Sequence, residues 1–262
     1  SNPITINNGI DFAGEGGLFW VETRNPAGQS SALLDTERGT AQTLATQATS
    51  GNVAIYSSKN ITYNNNGVTI PADSSTATGI LNFSNYSLCN WSFRKAEKFF
   101  DVQTFSGSGG GGTQILNHNL GSVPSFILLK KTSTTGNWWA IHKSVVSGSG
   151  ISSSWWLNTG VFESTSTFFQ GDLLTAEPTD STISLGPTFS NPGNTGTYVA
   201  YLFASDAGGY GDAGDGNIIK CGGYTGNNGS QEIELGFEPQ WIMIKNTSVA
   251  EDWCFLTLCG AL

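Results

Sequence analysis

Between Leu120 and Trp138, eight of nineteen residues recur 115 positions further on: Leu120, Gly121, Pro124, Ile127, Lys130, Thr132, Ser133 and Trp138. Self-similarity of this kind means that whatever one copy folds into, the other folds into as well. Each copy has the pattern of a β-hairpin. Phe126 to Lys130 is an apolar strand ending in Lys, Thr132 to Asn137 is turn chemistry, and Trp138 to Ile141 is a second apolar strand. The later copy offers Trp241 to Lys245 and then Trp253. Pro124 and Pro239 precede the first strand of each, where a residue without an N–H marks a strand's entry rather than its middle.

A degenerate earlier copy runs Leu18–Phe19–Trp20–Val21–Glu22, a loop from Thr23 to Ser31, then Ala32 to Thr36. Laid over the central hairpin, it sets Gly28 over Gly136 and Ala32 over Ala140. Three units follow: residues 1–98 as a degenerate first repeat, 99–215 as the central repeat closing in a Gly- and Asp-rich linker, and 216–262 as a third repeat reduced to its hairpin. The chain opens without Met and the last repeat stops just after its hairpin, so a longer parent chain is expected.

Further strands are expected at Val53–Tyr56, Ile61–Tyr63, Gly67–Ile70, Leu88–Phe93, Ser154–Leu157, Thr167–Phe169, Ile183–Leu185 and Tyr198–Phe203. Leu88–Phe93 alternates, with Cys89, Trp91 and Phe93 on one face, and its central counterpart Tyr198–Phe203 is apolar on both faces, as a central strand is. Residues 1–17 have the composition of a tail, and Asp35–Thr49 suits a short helix or an irregular segment equally. Only 12% of residues are charged and 34 are Gly, a mixture poor in helix formers. The fold class is therefore all-β, as tandem antiparallel, jelly-roll-like β-sandwich repeats. At this length a chain buries roughly three-quarters of its unfolded surface, enough for a core without staples.

A net charge of −9 with no basic run argues against nucleic acid as a partner. No apolar run reaches the ~18 residues of a membrane helix, so no membrane insertion is expected. Cys89, Cys221, Cys254 and Cys259 match no zinc spacing; buried, reduced thiols are the plain expectation, a Cys221–Cys254 or Cys254–Cys259 bridge the other.

With only His118 and His142, neither spaced for a triad or zinc site, both are expected to be structural, and no catalytic residue is assigned. Glu163, Asp172, Glu177 and Asp180 are the acids a glycosidase would draw on, yet nothing in the sequence pairs them at the roughly 5–10 Å such chemistry needs. Asp206, Asp212 and Asp215 in the linker are the candidate metal ligands, for calcium, but they fail the EF-hand spacing; no cofactor is the base expectation. Gly109 to Gly112 lacks the Lys-Ser/Thr of a phosphate loop and is a turn. Trp138, Trp139, Trp155 and Trp156 are the candidate ligand surface. Neighbours in a strand face opposite ways, so one Trp of each pair is expected in the core, leaving the other for sugar stacking or a subunit interface.

Trp91-Ser92-Phe93-Arg94-Lys95-Ala96, Phe99-Phe100-Asp101-Val102, His118-Asn119-Leu120-Gly121 with Pro124, and Gly236-Phe237-Glu238-Pro239-Gln240-Trp241 resemble a repeat family in virion proteins of tailed bacteriophages, marine ones especially. Trp139, His142 and Lys143 match a further element of it. The third copy departs, carrying Ile233 where the central one has His118. The resemblance covers residues 86 to 255 and implies a non-enzymatic structural protein of a virion, a tail fibre or other surface fibre contributing to host attachment. It implies other copies of the chain, other virion proteins and a host-surface glycan as partners, and assembly in the host cytoplasm before release on the particle. A carbohydrate-binding module is the alternative, and a glycan-degrading tailspike a further one.

Overall fold

Antiparallel strand pairing accounts for every ladder among the described residues. The computed structural model of the chain describes residues 2–25, 31–46, 51, 53–54, 60–72, 81–82, 86–136, 138–142, 153–157, 168–170, 173–190, 195–246, 249 and 254–257. The first segment forms β1 (Ile4–Ile6), β2 (Gly17–Asn25), β3 (Ala32–Asp35), β4 (Gln42–Thr43), β5 (Val53–Ala54), β6 (Thr62–Asn64), β7 (Gly67–Ile70) and β8 (Ser87–Arg94). The central segment forms β9 (Phe100–Ser106), β10 (Gln114–Asn117), β11 (Phe126–Lys131), β12 (Trp138–His142), β13 (Ser153–Leu157), β14 (Phe168–Gln170), β15 (Thr182–Leu185), a single helical turn α1 (Pro187–Ser190) and β16 (Thr197–Phe203). The last adds β17 (Trp241–Ile244) and β18 (Cys254–Thr257). The protein is all-β.

The repeat is visible in strand register. In the central hairpin Phe126 faces His142, Ile127 faces Ile141, Leu128 faces Ala140 and Leu129 faces Trp139. In the last hairpin Trp241 faces Thr257, Ile242 faces Leu256, Met243 faces Phe255 and Ile244 faces Cys254. Every pair is displaced by the same 115 positions as the sequence repeat. The Gly of each Leu-Gly turn, Gly121 and Gly236, holds a left-handed φ of 62° and 82°, which side-chain-bearing residues adopt at a cost. The first copy repeats the arrangement too: β2 is flanked by β3 and β8 as β11 is by β12 and β16. Leu18 faces Phe93 and Trp20 faces Trp91, as Phe126 faces Phe203 and Leu128 faces Tyr201. One detail is corrected. Leu18 pairs with Asp35 rather than Leu34, so the second strand is shifted by one residue against the overlay of Ala32 on Ala140. That slip turns Leu33 onto the face where Ala140 lies and sends Ala32 to the other.

Strands of all three segments meet in one core. Leu18, Trp20, Leu33 and Leu44 from the first pack with Phe100, Val102, Phe126, Leu128, Trp138, Tyr201 and Phe203 from the second, and with Trp241 and Met243 from the third. The first two segments each carry a second apolar layer on the far side. Phe19, Val21, Ala32 and Leu34 are covered by Val68 and Ile70 of the small β1-β7-β6 sheet. Ile127, Leu129 and Ile141 are covered by Leu116, Ile183 and Leu185 of the β10-β15 pair. Strand β16 lies between β11 and β9, with Val199, Tyr201 and Phe203 in the shared core and Tyr198, Ala200 and Leu202 in the outer layer. This is why its sequence is apolar on both faces.

One expectation is overturned, and one alternative is decided. Residues 4–6, expected as part of a tail, form a strand whose Ile4 faces Ile70 and Ile6 faces Val68. Gly67 makes that approach feasible, since a Cβ there would lie 1.9 Å from the Ile6 carbonyl oxygen. After Asp35 the chain turns and enters the two-residue β4 with no helix, because the Asp35 carboxylate takes the Arg38 N–H at 2.9 Å and tightens the turn.

Candidate functional site

The motif blocks that are far apart in sequence converge where the chain leaves β8 and enters β9. Lys95 donates its backbone N–H to the Gly16 carbonyl, and Ala96 bridges to Phe100, so the chain reverses within a few residues. The Lys95 ammonium lies 2.6 Å from a Glu37 carboxylate oxygen and 3.5 Å from Asp101 Oδ1. Burial works against this charge, but the bond to Glu37 and the attraction of Asp101 outweigh it and raise the Lys95 pKa. The Asp101 side chain is 2% exposed. It accepts the Val102 N–H on Oδ1, and the Gln103 amide and the Asn119 backbone N–H on Oδ2. The Lys98 N–H donates to the Leu120 carbonyl at 2.6 Å, and the Tyr210 hydroxyl to the Glu97 carbonyl at 3.0 Å. Thus the Arg-Lys-Ala turn, the Asp of the Phe-Asp-Val strand and the His-Asn-Leu-Gly turn form one knot around the buried Asp101 carboxylate.

His118 stands in this knot, and its Nδ1 accepts the Leu120 N–H at 3.3 Å, closing the Leu-Gly turn. Burial lowers its pKa, against a smaller pull from Asp101, so the ring is neutral and its Nδ1 lone pair is free to accept. Sequence reasoning expected a structural imidazole here, without its partners. His142 faces Phe126 across the hairpin, and burial pushes its pKa down to about 4.

A second polar cluster escaped the sequence. Asp35 and Arg38 form a buried ion pair at 2.6 Å, their side chains 0% and 2% exposed. The Tyr201 hydroxyl of β16 donates to Asp35 Oδ2 at 2.8 Å, and an Arg38 nitrogen donates to the Tyr201 oxygen at 3.1 Å and to the Leu33 carbonyl at 2.8 Å. Burial lifts the Tyr201 phenol well above its ordinary range, so it stays protonated as the donor. This cluster ties the first hairpin to the hub strand of the central sheet.

Of the tryptophans expected to form a ligand surface, Trp138 and Trp139 divide as strand alternation requires. Trp138 is fully buried in the shared core, its indole N–H donating to the Ala45 carbonyl at 3.3 Å, and so placed it has no face to offer a ligand. The Lys130 ammonium donates to the Gly136 carbonyl and lies 5.8 Å from the Trp138 ring centroid. Burial pushes the Lys130 pKa down to about 8. Trp139 is half-buried on the opposite face, edge-on to Phe189 at 5.2 Å. Trp155 and Trp156 lie in β13, paired with Ala140 and Trp139, and their side chains fall outside the described residues.

Among the candidate acids, Asp206 pairs with Lys220 at 2.9 Å, while Asp212 and Asp215 are exposed on the linker loop closed by the Tyr210–Gly216 bridge. Among the described residues no group of three or more His, Cys, Asp or Glu is placed to hold a metal ion. Glu177 and Asp180 are exposed, and Glu163 and Asp172 lie outside the described residues. Cys221 and Cys254 carry free thiols, so no bridge joins them. The expectation of buried thiols fails at Cys254, which is exposed, whereas burial raises the Cys221 thiol to about 12; Cys259 lies outside the described residues.

The model of a family described as a domain of unknown function (DUF7483) matches residues 5–257, so the chain belongs to that family, and the match runs through all three segments. No curated protein and no solved structure matches the chain.

Proposed function

We propose that this DUF7483 chain is a non-enzymatic structural protein of a phage virion, a tail fibre or other surface fibre that contributes to host attachment. One observation carries the reading: the residues behind the resemblance to phage virion repeats are engaged in holding the chain together. Trp91 and Phe93 pack against the shared core, the half-buried Lys95 lies 3.5 Å from the buried Asp101 carboxylate, and His118 and Asn119 bond within the same knot. A motif whose polar members bond to neighbouring turns and strands builds a scaffold; a catalytic motif instead aims them at a substrate.

A sheet-on-sheet body with few charges suits a load-bearing particle surface, and the other copies, virion proteins and host glycan of the resemblance are the partners proposed here. The test is to purify intact particles, identify their proteins by mass spectrometry, and locate this chain on them by antibody labelling and imaging. The expected result is labelling of a projection from tail or capsid. A chain found only free in the lysate would overturn the proposal, and a glycan array would then decide whether it is a carbohydrate-binding module.

A further inference from the structure

The pair Asn-Gly occurs three times in the chain, at Asn8–Gly9, Asn66–Gly67 and Asn228–Gly229. Such a pair is prone to react with itself, because glycine has no side chain to keep its nitrogen from the preceding Asn side-chain carbonyl. Two of the three are locked together. The Gly9 N–H donates to Asn66 Oδ1 at 2.7 Å, the Ile10 N–H to Asn8 Oδ1 at 3.1 Å, and Asn8 Nδ2 to Ser92 Oγ at 2.8 Å. The Gly67 N–H donates to the Ile10 carbonyl at 2.7 Å, at the start of β7. Both nitrogens and both side-chain carbonyls are thus engaged. The third pair stands free. Residues 222–234 are exposed throughout. Asn228 has a left-handed φ of 61°, and its side chain makes no hydrogen bond among the described residues. The Gly229 N–H is held by one contact, to the exposed Asn227 Oδ1 at 3.0 Å. This turn precedes Leu235–Gly236 as Gly107–Thr113, between β9 and β10, precedes Leu120–Gly121. Ser108 and residues 110–113 are exposed there as well, so the exposure belongs to the turn itself.

We infer that Asn228 is a self-modification site, at which the folded protein converts its own side-chain amide to an acid while sparing Asn8 and Asn66. The Gly229 nitrogen, losing its proton, attacks the Asn228 side-chain carbonyl carbon. A C–N bond forms, the bond to Nδ2 breaks, and the departing amide takes up a proton and leaves as ammonia. Water then opens the cyclic imide at either carbonyl. The product is aspartate, or isoaspartate with the main chain rerouted through the side chain. Each conversion adds one negative charge to a chain of net charge −9, on a turn followed by the exposed acids Glu232 and Glu234. The inference concerns the isolated chain and does not depend on the virion reading.

The purified chain is incubated in heavy-oxygen water at mildly alkaline pH and digested, and the three Asn-Gly peptides are followed by mass spectrometry. A hydrogen bond that must open first slows the reaction by roughly two- to tenfold, so position 228 should convert about tenfold or more faster than positions 8 and 66. In urea all three should convert at similar rates, since only the fold separates them. Gly229→Ala has room for its Cβ, whose nearest neighbour is Asn227 Oδ1 at 3.6 Å, and should suppress conversion at 228 with unchanged circular dichroism. Equal rates at the three positions in the folded chain would overturn the inference. So would a difference that persists in urea, or undiminished conversion in Gly229→Ala.

Discussion

Replacing Asp35 by Asn, which keeps the side chain's shape and removes its charge, leaves the Arg38 guanidinium buried without its counter-ion. The pair is 2.6 Å apart with both side chains nearly inaccessible, so solvent cannot take over the lost contact. Breaking a buried pair by neutralising one member costs roughly 3–5 kcal/mol. For a chain of this size each kcal/mol lowers the melting temperature by about 2–4 °C, giving a loss of about 6–20 °C. Tyr201→Phe removes a single hydroxyl that donates to the same carboxylate, and a hydrogen bond to a charged group contributes about 1.5–3 kcal/mol. Since both substitutions act on Asp35 Oδ2, the double variant should lose less than the sum, by a coupling of about 0.5–3 kcal/mol. Urea unfolding followed by tryptophan fluorescence and circular dichroism measures all four proteins. Tyr201 belongs to the central sheet and Asp35 to the first hairpin, so the whole transition should move as one. A shift below about 1 kcal/mol for Asp35→Asn, or two transitions of which one stays fixed, would refute the reasoning that this contact ties the segments into a single cooperative core.

The pH dependence has a definite sign. In the unfolded chain His142 takes up its proton near pH 6.5, whereas in the fold it stays neutral down to about 4, so its contribution is complete above about 6.5 and is lost as pH falls toward 4. The slope reaches at most about 1.4 kcal/mol per pH unit, and urea midpoints at several pH values should show it weakened in His142→Gln; an unchanged slope would contradict the burial argument. Lys130→Met should stabilise the protein by about 1–2 kcal/mol at neutral pH, because Met fills a similar volume without the charge that burial disfavours. Thermal unfolding that shows a loss instead would mean that the contacts to the Gly136 carbonyl and the Trp138 ring outweigh that burial.

Local chemistry made much of the fold legible. The paired apolar runs around Thr132–Asn137 became β11 and β12, and the two-sided apolar run at Tyr198–Phe203 became the strand buried on both faces. Leu88–Phe93 sent Trp91 and Phe93 to the shared core and Leu88 to the other side, as its alternation required. What stayed hidden depends on distant partners. Ile4–Ile6 is a strand only because β7, some sixty residues on, offers it an edge. Asp35 and Asp101 look like any surface acid in sequence; only the fold encloses them, with a tyrosine 166 positions away or an Asn119 N–H supplied by the next turn. The Trp138–Trp139 pair splits between faces as read, but sequence could not say that Trp139 would find Phe189.

The position of β16 also sets a timetable for synthesis. This strand joins β11 to β9, pairing Phe203 with Phe100 and Thr197 with Ser106, so the central sheet is incomplete until roughly a hundred further residues have been translated. At about 5–20 residues per second the nascent chain waits some 5–20 s with the inner edges of β9 and β11 unpaired. Contacts this distant incur the entropy of loop closure before they return any stability, which slows folding and lengthens the interval in which bare strands can find the wrong neighbour. Premature termination anywhere between β12 and β16 would therefore release a polypeptide with two open edges, a species suited to aggregation and dependent on chaperones.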